Sequence, residues 1–183
     1  MTEVCSMSRF HSTRRSLFLM VAGLSLLACG AAVPRAVQAD EPAEEKLAWK
    51  SGHARANITP QQPMWMSGYA SRSRPAEGKL TDLWAKVLVL ADADGQRAAM
   101  VTLDLVGIGR ELSQSICEEL QQQYGLQRDQ VALFTSHTHT GPVVGRNLGP
   151  LHYGLVDSKQ RELIDEYSTW LQEQVVAAVG RPI

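Results

Sequence analysis

The alternation of apolar and polar positions divides most of the chain into short strands and two helices. Short runs rich in apolar residues, bounded by turn-forming residues, predict strands at 53–58, 84–91, 97–103 and 130–135. Apolar residues that recur at a helical period predict helices at 109–124 and 158–180. We expect Asp92–Gly95 to form a hairpin turn, Asp157 to cap the last helix, and Gly125 to end the first one.

The order of these elements predicts an α/β fold with a layered mixed β-sheet and flanking helices. The strand, helix and strand between residues 97 and 136 form a βαβ unit, so the two strands should be parallel. The nearly continuous apolar run "AAMVTL" predicts a strand that is buried on both faces. Because the last helix is not followed by a strand, we interpret residues 51–183 as the N-terminal part of a larger domain.

The first 39 residues have the charge order of an export signal: a basic start, an apolar run and a small-x-small cleavage pattern at residues 37–39. The segment "TRRSLF" resembles a twin-arginine signal, and "LLAC" resembles a lipoprotein box in which Cys29 would carry the lipid. Cleavage after Ala39, lipidation at Cys29 and an internal apolar helix remain three alternatives. We therefore expect a chain that is periplasmic, secreted or lipid-anchored at the cell surface, with residues 40–50 as a tether.

The charge balance of the remaining chain narrows the possible partners. Without the four basic and one acidic residue of the leader, 14 basic and 18 acidic residues remain, a net charge near −4. This balance argues against nucleic acid as a partner and against a polybasic membrane patch. Cys117 is the only thiol outside the leader, so no intrachain disulfide is expected there, and its position predicts burial on a helix.

The stretch "SHTHTGP" at residues 136–142 is the strongest candidate for chemistry. In an extended backbone, His137 and His139 would point to the same side, about 6.6 Å apart along the strand, and both imidazoles could converge on one cation. The pair also follows a strand that we expect to be parallel, at the edge where α/β folds place their ligands. Simple strand alternation is the alternative interpretation.

Other polar residues could complete such a site, since a catalytic zinc normally has three protein ligands. His53 and His152 are candidates without supporting spacing, and we interpret the first as structural and the second as a loop residue. Asp104 ends a neighbouring strand, where it would either orient an imidazole as part of the catalytic site or cap a turn. The apolar-rich loop 61–78 would either pack on the core or form the wall of an apolar cleft.

Four segments in one order carry a family resemblance: "NITP" at 57–60, "MSGYASR" at 66–72, "TLDL" at 102–105 and "SHTHTGP" at 136–142. Together they resemble the N-terminal catalytic domain of the neutral/alkaline, non-lysosomal ceramidases, over about residues 52–180. Ser136 and Thr140 are mild departures from the threonine and serine usual in this family, and Val143-Val144 replaces its glycine-rich continuation.

The resemblance implies a zinc-dependent amidase that cleaves the N-acyl bond of ceramide-like lipids to give a sphingoid base and a fatty acid. It implies that His137 is a Zn²⁺ ligand and that His139 either ligates the metal or orients water and substrate. The further ligands of the family (a histidine, a glutamate and a tyrosine) lie downstream of the matching region. The 183 residues alone are therefore expected neither to hold zinc tightly nor to turn over substrate.

Four other interpretations compete with the ceramidase resemblance. A metallo-β-lactamase-like site would need Asp-His where Gly141-Pro142 stand, and an amidohydrolase-like site would place the histidines on its first strand. The chain could also serve as a metal-dependent hydrolase of another substrate, or as a secreted non-catalytic binding module or inactive relative. The sequence predicts a lipid substrate and peripheral or anchored membrane association under the ceramidase interpretation, and it predicts no particular oligomeric state.

Overall fold

The computed structural model describes residues 49–183. The predicted export signal at 1–39 and nearly all of the predicted tether at 40–50 lie outside the described residues. The elements are β1 (Lys50–Asn57), β2 (Trp84–Ala91), β3 (Arg97–Leu103), α1 (Arg110–Tyr124), a short 3-10 helix (Arg128–Gln130), β4 (Val131–Thr135) and α2 (Ser158–Gly180).

The four strands form one mixed sheet in the order β1-β2-β3-β4. β1 and β2 pair antiparallel, β2 and β3 pair antiparallel through the predicted hairpin, and β3 and β4 pair parallel. The predicted α/β class and the parallel pair flanking α1 are both confirmed. The predicted bounds of β2 and β3 match the structure, whereas β1 begins earlier than expected, at Lys50.

One face of the sheet carries the core. α2 lies across β1, β2 and β3 and also packs against α1. Alternate residues of β3, among them Val101 and Leu103, share a buried cluster with apolar residues of both helices. The Tyr167 hydroxyl of α2 donates a hydrogen bond of 2.6 Å to the Ile58 carbonyl oxygen, which ties the helix to the chain just after β1.

Within residues 49–183 no element covers the opposite face of the sheet, so the prediction that β3 is buried on both faces is wrong for this part of the chain. Burial along β3 alternates, and Met100 and Thr102 are exposed. Phe134 of β4 is also half exposed on this side. The apolar run suggested two covering layers, but both described helices belong to the single core on the other face.

The helix ends follow the expected capping chemistry. The Asp157 carboxylate accepts a hydrogen bond of 2.8 Å from the Gln160 N–H, and Gly125 ends α1 with a left-handed φ of 70°. Cys117 is buried on α1 as predicted. Within residues 49–183, no helix combines the length and the apolar character that crossing a membrane requires.

Candidate functional site

The histidine segment begins where β4 ends, at the carboxyl edge of the parallel pair. The Ser136 N–H still donates to the Leu103 carbonyl oxygen, at 3.0 Å, so the pairing with β3 continues one residue past the strand. At His137 the backbone then turns into the left-handed region, with φ at 58°. The expectation of an extended backbone through both histidines is therefore wrong at this residue.

A hydrogen bond to the loop after β3 fixes the His137 ring. Its Nδ1 lies 2.7 Å from the Val106 carbonyl oxygen. A carbonyl oxygen can only accept, so Nδ1 must donate, and in the neutral ring Nε2 keeps its lone pair free for a ligand. Histidines that bind metals usually donate their second ring nitrogen to a carboxylate, a backbone carbonyl or a water molecule, and the Val106 carbonyl is such an acceptor.

The two imidazoles lie together even though the backbone is not extended. The ring centroids of His137 and His139 are 5.0 Å apart, at an interplanar angle of 70°. Two imidazoles that share one tetrahedral zinc ion, with Zn–N distances of about 2.0–2.1 Å, have centroids roughly 5 Å apart. The separation of the pair therefore fits two ligands of one metal ion.

His139 is seated on the loop that carries the "SGYASR" motif. Gly68 has a φ of 109°, and a Cβ built on it would lie only 2.4 Å from Cγ of His139. The Tyr69 ring contacts the same imidazole edge-on, with centroids 4.6 Å apart. The Arg72 guanidinium donates to the His139 carbonyl oxygen and lies 5.2 Å from the centre of the Tyr69 ring.

Backbone pairing joins this loop to the histidine segment. The Ser67 N–H donates to the Gly141 carbonyl oxygen at 2.9 Å, and the Val143 N–H donates to the Trp65 carbonyl oxygen at 2.8 Å. Gly141 also needs to be small, because its Cβ would lie 3.1 Å from the Asp104 carbonyl oxygen. Two motifs separated by about 70 residues therefore form one structural unit.

His152 is part of this unit, which the sequence did not indicate. It is 1 % exposed, and its Nε2 accepts a hydrogen bond of 3.1 Å from the Gly68 N–H. Burial lowers the pKa of His152 below its ordinary value, and the nearby Arg72 and His139 lower this pKa further. The pKa shift and the hydrogen bond both favour a neutral ring.

Three buried polar atoms of this cluster, Nε of Arg72, Nδ1 of His139 and Nδ1 of His152, make no hydrogen bond with the described residues. Buried polar atoms are rarely left unpaired in a folded protein without a water, an ion or a functional reason. Their grouping around one loop makes this region a polar part of the interior.

The remaining predicted candidates lie elsewhere. The Asp104 carboxylate accepts a hydrogen bond of 3.0 Å from the Trp84 N–H and lies 3.7 Å from the Lys86 ammonium, so its contacts are with β2. These contacts favour the capping role that was one of its two predicted roles. His53 is exposed on β1, which lies three strand spacings, or about 14 Å, across the sheet from β4, so it is not near the pair.

The described residues bring two imidazoles together, whereas a catalytic zinc normally has three protein ligands. Within residues 49–183 there is no group of three or more His, Cys, Asp or Glu side chains that could hold a metal ion. His152 does not complete the site, because its Nε2 is engaged by Gly68. The pair fits a metal through its geometry and through the free Nε2 of His137, but it does not form a closed site by itself.

An apolar cleft of about 650 Å³ lies beside the histidine segment. Its lining includes Thr140 and Pro142 from that segment, and Met64, Met66 and Leu80 from the loop after β1. The loop therefore does both things that were predicted as alternatives, since Met64 belongs to the core and also lines the cleft. The volume lies within the range of small-molecule sites.

Residues 49–157 match the family described as neutral/alkaline non-lysosomal ceramidase, N-terminal. Neutral ceramidase from Drosophila melanogaster is 34 % identical over 97 residues, which are 51 % of this chain and 14 % of that protein. Neutral ceramidase 3 from Arabidopsis thaliana is 33 % identical over 79 residues, which are 42 % of this chain and 11 % of that protein. The matched part of this chain therefore covers only 11–14 % of the length of these relatives.

Solved structures support the same fold. The crystal structure of neutral ceramidase from Pseudomonas aeruginosa superposes with a TM-score of 0.58 at 24 % identity, covering 75 % of this chain and 22 % of that one. A structure described as ceramidase complexed with C2 gives a TM-score of 0.59 at 23 % identity, covering 74 % and 21 %.

Proposed function

The chain belongs to the neutral/alkaline non-lysosomal ceramidase family, and from this premise we propose that it supplies the N-terminal part of a zinc-dependent amide hydrolase site for ceramide-like lipids. The observation that carries the proposal is the His137–His139 pair, with ring centroids 5.0 Å apart and Nδ1 of His137 bound to a backbone carbonyl. The catalytic site would be completed by residues outside this segment.

In this proposal, His137 holds the metal through Nε2, and the Val106 carbonyl oxygen keeps the ring in the required tautomer and orientation. Zinc, when bound, lowers the pKa of a water molecule and polarises the amide carbonyl of the substrate. His139, fixed by Gly68 and Arg72, either provides the second nitrogen ligand or holds the proton that the departing amine receives.

The apolar cleft would accept a hydrocarbon chain of the lipid. Met64, Met66 and Pro142 contribute apolar lining, and Thr140, the residue that follows His139 in the chain, lines the same cleft. A substrate with an amide at the histidines and an alkyl chain along the cleft is consistent with this placement. The same cleft favours an N-acyl lipid over a small polar amide.

A metal titration tests the first half of the proposal. We expect the chain to bind Zn²⁺ weakly, as two imidazoles would, and His137→Ala to weaken binding at least tenfold. His53→Ala is the matched control, because His53 is also exposed but lies on β1. Equal affinity of the wild type and His137→Ala would contradict a metal role and would favour a non-catalytic binding module.

Activity tests the second half, with the protein expressed together with any coding sequence that continues its reading frame. We expect release of fatty acid from ceramide and slower release from N-acyl ethanolamines and N-acyl amino acids. Zinc binding without ceramide hydrolysis would remove the substrate assignment and leave the metal site standing. For His139→Ala, lost zinc affinity identifies a ligand, whereas intact affinity with a lower kcat identifies a proton-transfer role.

We also propose that the protein is exported, on the basis of the charge order and cleavage pattern of residues 1–39. Cell fractionation of the wild type and of Cys29→Ser tests this proposal. Membrane association that disappears in Cys29→Ser supports a lipid anchor, and release of both proteins in soluble form supports cleavage after Ala39. Retention of both in the cytoplasm would contradict export.

A further inference from the structure

The loop before α2 buries its histidine and exposes its leucines. Leu151 is 51 % exposed and Leu155 is 72 % exposed, whereas His152 between them is 1 % exposed. The backbone of His152 is also held on both sides, since its N–H donates to Leu148 and its carbonyl oxygen accepts from Leu155 and Val156. A buried polar residue beside exposed apolar ones needs a specific reason.

The hydrogen bond to Gly68 supplies such a reason. Nε2 of His152 accepts from the Gly68 N–H at 3.1 Å, so Nε2 carries no proton and Nδ1 is the protonated nitrogen. Gly68 is the residue on which the His139 imidazole rests, with no room for a Cβ between them. His152 therefore acts on His139 through one backbone amide.

We propose that His152 is a positioning residue, which holds the Gly68 backbone in its left-handed conformation against the His139 ring and thereby sets the place of His139 beside His137. The role in the site rests on the function proposed above, whereas the positional effect on His139 does not. An apolar side chain of similar size would fill the same space but would offer no acceptor to the Gly68 N–H.

The competing role, in which His152 ligates the metal directly, fits less well. Its Nε2 is already used by Gly68, and within the described part of the chain it does not form a three-ligand cluster with His137 and His139. Its Nδ1 is buried without a partner in the same region. The contact of His152 with the site therefore runs through the Gly68 amide, and the His139 ring packs against Gly68.

The test compares two substitutions that differ in one acceptor. His152→Gln keeps an acceptor near the position of Nε2, whereas His152→Leu fills the volume without one. Val156→Ala is the control for general destabilisation, because Val156 is buried in the same loop. For each protein, NMR measures amide exchange at Gly68 and the ring resonances of His139, and a titration measures affinity for Zn²⁺ alone.

We expect His152→Leu to speed exchange at Gly68 at least tenfold relative to neighbouring amides, to shift the His139 ring resonances, and to lower Zn²⁺ affinity about tenfold. His152→Gln should restore most of all three properties, and Val156→Ala should change none of them selectively. A His152→Leu protein with normal Gly68 exchange, or a His152→Gln protein as impaired as His152→Leu, would overturn the proposal.

Two further outcomes keep this inference separate from the proposed function. If no variant changes Zn²⁺ affinity but the Gly68 and His139 signals change as expected, the positioning holds and the metal assignment fails. If His152→Leu does not fold, a scalar coupling between the Gly68 amide nitrogen and Nε2 of His152 in the wild type decides the matter, and its absence contradicts the hydrogen bond on which the proposal rests.

Discussion

Gly68 and His139 are in such close contact that a side chain on Gly68 would overlap the imidazole, with 2.4 Å between the added Cβ and Cγ of His139. The two residues are 71 positions apart in the chain and are brought together by the pairing of the loop after β1 with the segment after β4. This contact connects the two most distinctive motifs of the sequence and leads to the first prediction.

Gly68→Ala should displace His139 and destabilise the fold. The left-handed φ of 109° and the overlap with the ring both oppose a side chain, and together we expect a loss of about 3 kcal/mol in the free energy of unfolding. Urea denaturation measures this loss, and the His139 ring resonances report the displacement. Gly78→Ala is the control in the same loop, because nothing lies within 4 Å of its Cβ position. Equal behaviour of the two variants would contradict the close contact.

Asp104 should prove structural. Its carboxylate accepts from the Trp84 N–H and lies near Lys86, so Asp104→Ala should lower the free energy of unfolding by about 1 kcal/mol through the lost hydrogen bond. Asp104→Asn keeps an acceptor and should recover most of this stability. Neither variant should change Zn²⁺ affinity by more than about twofold, which a metal titration measures. A large loss of affinity in Asp104→Asn would instead restore the orienting role that the sequence left open.

Local patterns in the sequence were sufficient for most of the secondary structure. The periodic apolar residues of α2 and the turn between β2 and β3 depend on neighbours a few positions away, so their bounds could be predicted. The burial of β3 depends on which face the helices cover, and an apolar run does not contain that information. The open face at Met100 was therefore missed.

In the candidate site too, features set by neighbouring residues could be predicted, whereas features set by distant contacts could not. His137 and His139 were identified by their spacing, but the left-handed backbone at His137 and the contact of its ring with the Val106 carbonyl oxygen, 31 residues away, were not predicted. The roles of Gly68 and His152 depend on contacts over 71 and 84 residues, for which one sequence contains no signal. His152 lies in a loop, as predicted, but its burial and its hydrogen bond to Gly68 could not be predicted from its position in the sequence.

Acid should destabilise the fold through His152. Because burial, Arg72 and His139 hold the pKa of the folded residue below its ordinary value of 6.5, the unfolded chain takes up a proton first as the pH falls. The contribution of the neutral ring to the free energy of unfolding is complete above about pH 6.5 and decreases below it.

Thermal unfolding of the wild type between pH 7 and about pH 5.5 should show a falling Tm. His152→Gln removes this titration while the other histidines remain, so its Tm should fall less over the same range. Parallel pH profiles for the two proteins would contradict the lowered pKa.

Leu80 should contribute to lipid binding without contributing to stability. It is fully exposed, at 103 % of its reference area, and it lies at the edge of the apolar cleft beside the histidine segment. An alkyl chain in the cleft would bury this side chain, and we expect Leu80→Ser to weaken binding of a fluorescent short-chain N-acyl sphingosine about tenfold. The free energy of unfolding should change by less than about 0.5 kcal/mol.

Leu155→Ser is the matched control, since Leu155 is also a highly exposed leucine but does not line the cleft. Equal weakening by both substitutions would indicate nonspecific adsorption of the lipid and would count against the cleft as the place of the alkyl chain.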